Sequence, residues 1–153
     1  MIAVLQRVKR AAVTVDGVTV GECGEGIYVL LGVAKEDTER DAQVLADKIV
    51  GLRIFTDENG KMNLSLADVG GQMLVVSNFT LLASYKKGKR PDYMGAAAPG
   101  EAAALYEYFT ELCRGRVEHV ACGSFGAHMM TDMTTDGPVT IVMDSKVLLA
   151  SGK

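Results

Sequence analysis

The chain has 153 residues, 48% of them hydrophobic, and a formal charge of −3. That length suffices for one compact unit burying roughly two-thirds of its unfolded surface, so one domain over residues 1–153 is expected. The acidic balance excludes a protein that coats nucleic acid by bulk electrostatics. No apolar window approaches the roughly 20 residues of a membrane helix, and Gln6, Arg7, Lys9 and Arg10 interrupt any signal-peptide core, so a cytosolic protein with no membrane partner is expected.

Taken in chain order, residues 2–8 read as a strand, and residues 12–15 and 18–21 flank Asp16-Gly17, a two-residue hairpin signal. The apolar run over residues 27–33 is expected to be a central strand. Gly21, Gly24 and Gly26 do not make a dinucleotide loop, because a strand follows where a helix should begin. Thr38 is a candidate N-cap with Asp41 three residues on, and Val44, Leu45, Ile49 and Leu52 then repeat at helical spacing. Residues 53–56 suggest a short strand, Asp57-Glu58-Asn59-Gly60 a turn, and residues 72–79 another apolar strand with Thr80 just past its end. Pro99 opens a second helix whose core face is Ala102, Leu105, Tyr106, Phe109 and Leu112, and Gly115 is placed to end it. Residues 117–121, 128–133 and 139–143 complete the strand candidates. No repeat or linker divides the chain. The fold class is therefore α+β: a largely antiparallel, barrel-like sheet with two main helices.

The familiar catalytic inventories fail. Cys23, Cys113 and Cys122 are odd in number and scattered, which fits reduced core thiols rather than a disulfide or zinc framework. His119 and His128 have no spacing that completes a metal site, so no metal and no cofactor is expected. Gly123-Ser124-Phe125-Gly126 lacks the Gly-x-Ser-x-Gly spacing of a nucleophile elbow, and Asp57-Glu58 is accounted for by its turn. Lys86, Lys87, Lys89 and Arg90 crowd around Gly88, and Pro91 keeps them out of a helix; taken alone, this run is a solvated loop.

Two segments stand out instead: Ser77-Asn78-Phe79-Thr80-Leu81 after an apolar strand, and Thr135-Asp136-Gly137-Pro138-Val139-Thr140 near the C-terminus. Hydroxyls, an amide and a Gly-Pro bond can build a site without histidine, cysteine or metal. Together with Gln6-Arg7-Val8, Arg53-Ile54-Phe55, Gly60-Lys61-Met62-Asn63-Leu64, Gly88-Lys89-Arg90-Pro91, Ala104-Leu105-Tyr106 and Phe125-Gly126-Ala127, they make the chain resemble the D-aminoacyl-tRNA deacylases over nearly its whole length. None of these pieces is specific alone; their order and spacing are.

The resemblance implies an editing hydrolase that cleaves the ester between a D-amino acid, or glycine, and the terminal ribose of a mischarged tRNA. It implies a homodimer whose Gly137-cis-Pro138 enters the partner's active site, where main-chain oxygens hold the substrate ammonium and an L side chain would collide. It further implies that Ser77, Phe79 and Thr80 are the catalytic residues and Asn78 a substrate-binding one, shaping the pocket while the tRNA's own 2′-hydroxyl assists hydrolysis; backbone amides around Phe79 and Thr80 are the expected donors to the oxyanion. Phe125 and Met129 match pocket positions, and Arg7 matches an arginine that orients the Gly-Pro segment. Lys86, Lys87, Lys89 and Arg90 then become contacts for phosphates of the tRNA acceptor end. Thr80 as a covalent nucleophile ranks lower, because no nearby base is evident to activate it.

Three departures from the family pattern are visible. Asn78 stands where glutamine is usual, Thr135 where asparagine precedes Asp-Gly-Pro, and Thr131 where an apolar residue is usual. Two alternatives stay open: a sister group with the bond in trans that edits L-aminoacyl-tRNA, and a catalytically silent RNA-binding dimer.

Overall fold

The computed structural model describes residues 1–151. One long strand organises it. Strand β1 (Ile2–Val15) pairs antiparallel with β8 (Met130–Asp144) along nearly its whole length. Its other edge is shared: residues 2–8 pair antiparallel with β3 (Gly26–Gly32), and residues 11–15 pair antiparallel with β2 (Val18–Cys23). The β1–β2 turn uses left-handed backbone at Asp16 (φ 49°) and Gly17 (φ 79°), as an Asp-Gly hairpin requires.

Beyond β3 the sheet changes character. β6 (Gln72–Ser77) lies parallel to β3, and β7 (Val120–Cys122) lies parallel to β6, so the sheet is mixed. The His119 ring bonds the Glu22 carbonyl at 2.8 Å, drawing the β7 end toward β2 and nearly closing a barrel. β4 (Phe55–Thr56) and β5 (Met62–Leu64) form a small separate hairpin.

Three helices accompany the sheet: α1 (Glu39–Gly51), α2 (Pro99–Arg114) and the short α3 (Ser145–Ala150). At the head of α1 the Asp41 carboxylate accepts from the Thr38 amide at 2.8 Å and from its hydroxyl at 3.1 Å. That is a capping box, with Asp in the place of Glu. Asp41 also accepts from the Ser145 hydroxyl at 2.6 Å, tying α3 to α1. Helix α2 opens on Pro99 and stops at Gly115, but the cap is right-handed (φ −66°) rather than the left-handed one glycine permits.

β3 is apolar throughout because both its faces are buried. Ile27, Val29 and Leu31 join Leu5, Leu45, Ile49, Met73, Val75 and Phe109 under the helices. Tyr28 joins Val8, Val13, Leu74 and Val76 inside the curl of the sheet. Each such fully buried aliphatic or aromatic side chain contributes about 1.5–3 kcal/mol. The two clusters make the sheet the rigid wall on which the site below is mounted.

Two differences from the sequence reading have physical causes. The strands expected at residues 2–8 and 12–15 are one strand, since Lys9 and Arg10 point outward at a register shift instead of ending it. The strands expected at 128–133 and 139–143 are likewise joined as β8 by pairing to β1, although Thr, Asp, Gly and Pro dominate the junction.

Candidate active site

β6 ends at Ser77, and the chain turns through Asn78 into a 3-10 turn over Phe79–Leu82. Two contacts fix this turn. The Asn78 amide donates to the Leu31 carbonyl at 2.8 Å, and the Asn78 carbonyl lies against Gly32, where an added Cβ would stand 2.9 Å from it and 2.6 Å from Leu82. Only glycine leaves the turn room to pack so closely on β3. Within the turn the Thr80 hydroxyl donates to Asn78 Oδ1. The amides of Phe79 and Thr80 donate to no protein acceptor among the described residues.

Facing the turn is a cavity of about 730 Å³. Ser77, Asn78, Phe79, Thr80, Phe125 and Met129 all border it, so the structure brings these sequence-selected residues together. The rest of its lining is mostly apolar, and no Asp, Glu, Lys or Arg is part of it. Three tyrosines that the sequence did not mark as site residues complete it. Tyr106 had read as helix core; its hydroxyl donates to the Val75 carbonyl at 2.7 Å and its ring lies 5.8 Å from that of Phe125. Burial pushes the Tyr106 hydroxyl far above its ordinary pKa, so it remains a neutral donor. Tyr28 bonds Thr131 across the cavity wall (Oη to Oγ1, 3.2 Å), and Tyr93 packs edge-on against Phe79 with centroids 5.1 Å apart. His128 also borders the cavity. Helical or strand periodicity carries no signal for these positions, because a residue can satisfy a core face and still border a cavity.

Gly137 and Pro138 do not border the cavity of their own chain; they are exposed on β8. Gln6 pairs with Thr140 and Val8 with Thr135, so residues 136–139 stand opposite Arg7 alone and bulge out of the ladder. The Gly137–Pro138 bond is cis. Gly137 has φ +139°, and a Cβ there would lie 2.6 Å from the Val139 amide nitrogen, so no other residue fits without displacing the bulge.

Arg7 anchors the bulge from beneath. Its Nε donates to the Asp136 carbonyl at 3.0 Å and its Nη1 to the Ile54 carbonyl at 2.7 Å, with the side chain only 11% exposed. The Asp136 carboxylate lies 3.4 Å from Arg7 and 3.6 Å from Lys9. A planar fork with fixed donors suits two separate carbonyls, which a single ammonium cannot reach together.

Lys86, Lys87, Lys89 and Arg90 lie outside the cavity on a loop whose neck is the Ser84–Asp92 bridge, with reciprocal hydrogen bonds of 2.8 and 2.9 Å. All four are exposed. Among the described residues no group of His, Cys, Asp and Glu could hold a metal ion, and no helix is long and apolar enough to cross a membrane.

The chain is similar to known proteins over most of its length. Residues 4–144 match the family described as D-Tyr-tRNA(Tyr) deacylase. A protein of Caldicellulosiruptor saccharolyticus named D-aminoacyl-tRNA deacylase is 56% identical over 146 residues, covering 95% of this chain and 98% of that one. One of the same name from Bacillus velezensis is 55% identical over 143 residues, covering 94% and 97%. The solved structure of a c-Myc DNA unwinding element binding protein superposes with a TM-score of 0.88 at 42% identity, covering 94% of this chain and 98% of that one. A probable eukaryotic D-amino acid tRNA deacylase shares the fold at 19% identity, with a TM-score of 0.80 over 94% and 98% of the two chains. With a family match over most of its length and relatives more than half identical to it, the chain belongs to the D-Tyr-tRNA(Tyr) deacylase family.

Proposed function

We propose that this protein hydrolyses the ester joining a D-amino acid, or glycine, to the terminal adenosine of tRNA, and that it does so as a homodimer. The observation that carries the reading is a cavity with no Asp, Glu, Lys or Arg in its lining, on which the polar turn Ser77 to Thr80 opens with two unpaired main-chain amides. An aminoacyl ester is already activated, so positioning and oxyanion stabilisation can suffice. The unpaired amides of Phe79 and Thr80 are suited to a developing oxyanion, and one such donor is worth about 2.7–4 kcal/mol in the transition state. The cavity holds no carboxylate or lysine to act as base, and its one histidine, His128, is exposed and has no hydrogen-bonded partner among the described residues to orient it, so the neighbouring ribose 2′-hydroxyl is the natural participant.

Selectivity is assigned to Gly137 and Pro138. They project from a bulge that their own cavity does not use, which suits insertion into a second copy. There their main-chain oxygens accept from the substrate ammonium and turn an L side chain into the backbone. Glycine has no side chain to exclude and passes. Ser77, Asn78, Phe125 and Met129 shape the pocket, Arg7 positions the bulge, and Lys86, Lys87, Lys89 and Arg90 meet acceptor-end phosphates.

The test compares D-Tyr-tRNA, L-Tyr-tRNA and a D-Tyr-tRNA ending in a 2′-deoxyribose. Rapid release from the first, and from neither of the others, is expected. Equal release of both enantiomers would remove the chiral claim, and unimpaired cleavage of the deoxy substrate would remove the ribose from the mechanism.

A further inference from the structure

Under the proposed function the cavity accepts the terminal aminoacylated nucleoside, and the preceding nucleotides must leave across its rim. Phe79, 58% exposed, and Tyr93 form that rim. From Tyr93 the chain passes directly into Asp92, one side of the Ser84–Asp92 neck, so the basic loop starts where the cavity ends. The first residue beyond the neck is Tyr85, which at 83% exposure is more open to solvent than the other large hydrophobic residues exposed on the described chain. A ring so exposed adds little to folding. It is followed at once by Lys86 and Lys87, with Lys89 and Arg90 beyond Gly88, and among the described residues none of these cations forms an ion pair.

Single-stranded nucleic acid is bound by this combination: aromatic faces take the bases, while cations that no protein carboxylate has claimed take the phosphates. The backbone supports such use. The neck fixes the direction in which Tyr85 leaves, and Gly88 in left-handed backbone (φ +68°) turns the chain so that cations lie on both sides of it. A membrane would be met by cations with several buried apolar groups, and a protein partner by a broader apolar patch; one aromatic ring among four cations fits neither.

We propose that Tyr85 is a stacking platform for the unpaired nucleotides that immediately precede the terminal adenosine of the acceptor strand, with Lys86, Lys87, Lys89 and Arg90 on their phosphates. This rests on the functional reading above for the choice of RNA. It assigns to the loop a role in reading bases as well as charge. The cavity then needs little affinity of its own, because the strand is held beside it.

Fluorescence anisotropy tests this with a labelled single-stranded RNA ending in CCA and with a second strand whose two cytidines are replaced by abasic ribose phosphates. Wild-type protein is expected to bind the first about 5- to 150-fold more tightly than the second. Tyr85→Ala should abolish that preference, Tyr85→Phe should keep it, and Lys86→Gln should lower the salt dependence of binding to both strands alike. Tyr85→Ala that still prefers the intact strand, or a wild type indifferent to the cytidines, overturns the proposal. In parallel, hydrolysis of D-Tyr-tRNA and of D-tyrosyl-adenosine is measured. A wild type that cleaves neither overturns the functional reading, whereas the binding arm decides the platform whatever the hydrolysis arm returns.

Discussion

Arg7→Lys retains the positive charge and removes the fork. Arg7 donates to two main-chain carbonyls, at Asp136 and Ile54, from a side chain only 11% exposed. Hydrogen bonds from a charged donor contribute about 1.5–3 kcal/mol each, and a lysine ammonium can reach at most one of the two carbonyls. The expected loss is therefore about 2 kcal/mol, a fall of about 4–8 °C in Tm for a chain of this size. Arg7→Ala should cost about 3 kcal/mol, since both carbonyls lose their donor. Asp136→Asn is the control: it removes only a half-exposed ion pair and keeps the carbonyl, and should cost under about 1 kcal/mol. The assay is urea unfolding of the three variants, followed by D-Tyr-tRNA and L-Tyr-tRNA hydrolysis by each. Arg7→Lys should lose rate on the D substrate because the bulge bearing Gly137 is no longer held. If Arg7→Lys matched wild type in both assays, or if Asp136→Asn cost as much as Arg7→Lys, the fork would not be the cause.

Further outcomes follow from other contacts. Gly32→Ala sets a Cβ 2.9 Å from a main-chain oxygen that cannot yield, so we expect about 1–3 kcal/mol of destabilisation and loss of hydrolysis as the 3-10 turn shifts, read by unfolding and turnover. Burial pushes the thiol of Cys23 up to about 11 and that of Cys113 up to about 12, so a thiol reagent at pH 8 should label Cys122 alone in the folded protein, with all three reacting in denaturant. Burial raises the Asp41 carboxyl, but hydrogen bonds from Ser145 and Thr38 outweigh it and hold its pKa below the ordinary value. The stability this lends is present above the unfolded value of about 3.9 and is lost as pH falls from there through the lower folded value. Melting temperatures of Asp41→Asn should therefore decline less than those of wild type as pH is lowered below about 4.

Local rules were legible wherever chain-local geometry decides the outcome. Asp16-Gly17 specifies its hairpin, Thr38 with Asp41 opens α1, and Pro99 opens α2. What could not be read depends on distant partners. β1 runs through Lys9 and Arg10, and β8 through Thr134 to Pro138, because each strand is the other's partner, and no single segment carries that information. The six-residue helix α3 is tied down by Asp144 accepting from the Lys146 amide and by Ser145 bonding Asp41, contacts invisible to periodicity. In the site, the segment from Ser77 to Thr80 and the Gly-Pro bulge are contiguous and could be found. Tyr28, Tyr93, Tyr106 and His128 converge from separate elements and could not.

The central claim is that one active site is built by two chains, the cavity from one and the Gly137–Pro138 bulge from the other. Mixing two inactive proteins tests it. Gly137→Ala spoils the bulge and leaves the cavity, whereas Thr80→Trp fills the cavity at an exposed position and leaves the bulge. Unfolded together and refolded at equal amounts, half of the dimers should be mixed, each with one intact composite site, and D-Tyr-tRNA hydrolysis should return to about a quarter of wild type. A mixture as inactive as its parents, in which mixed dimers are shown to have formed, would contradict the account.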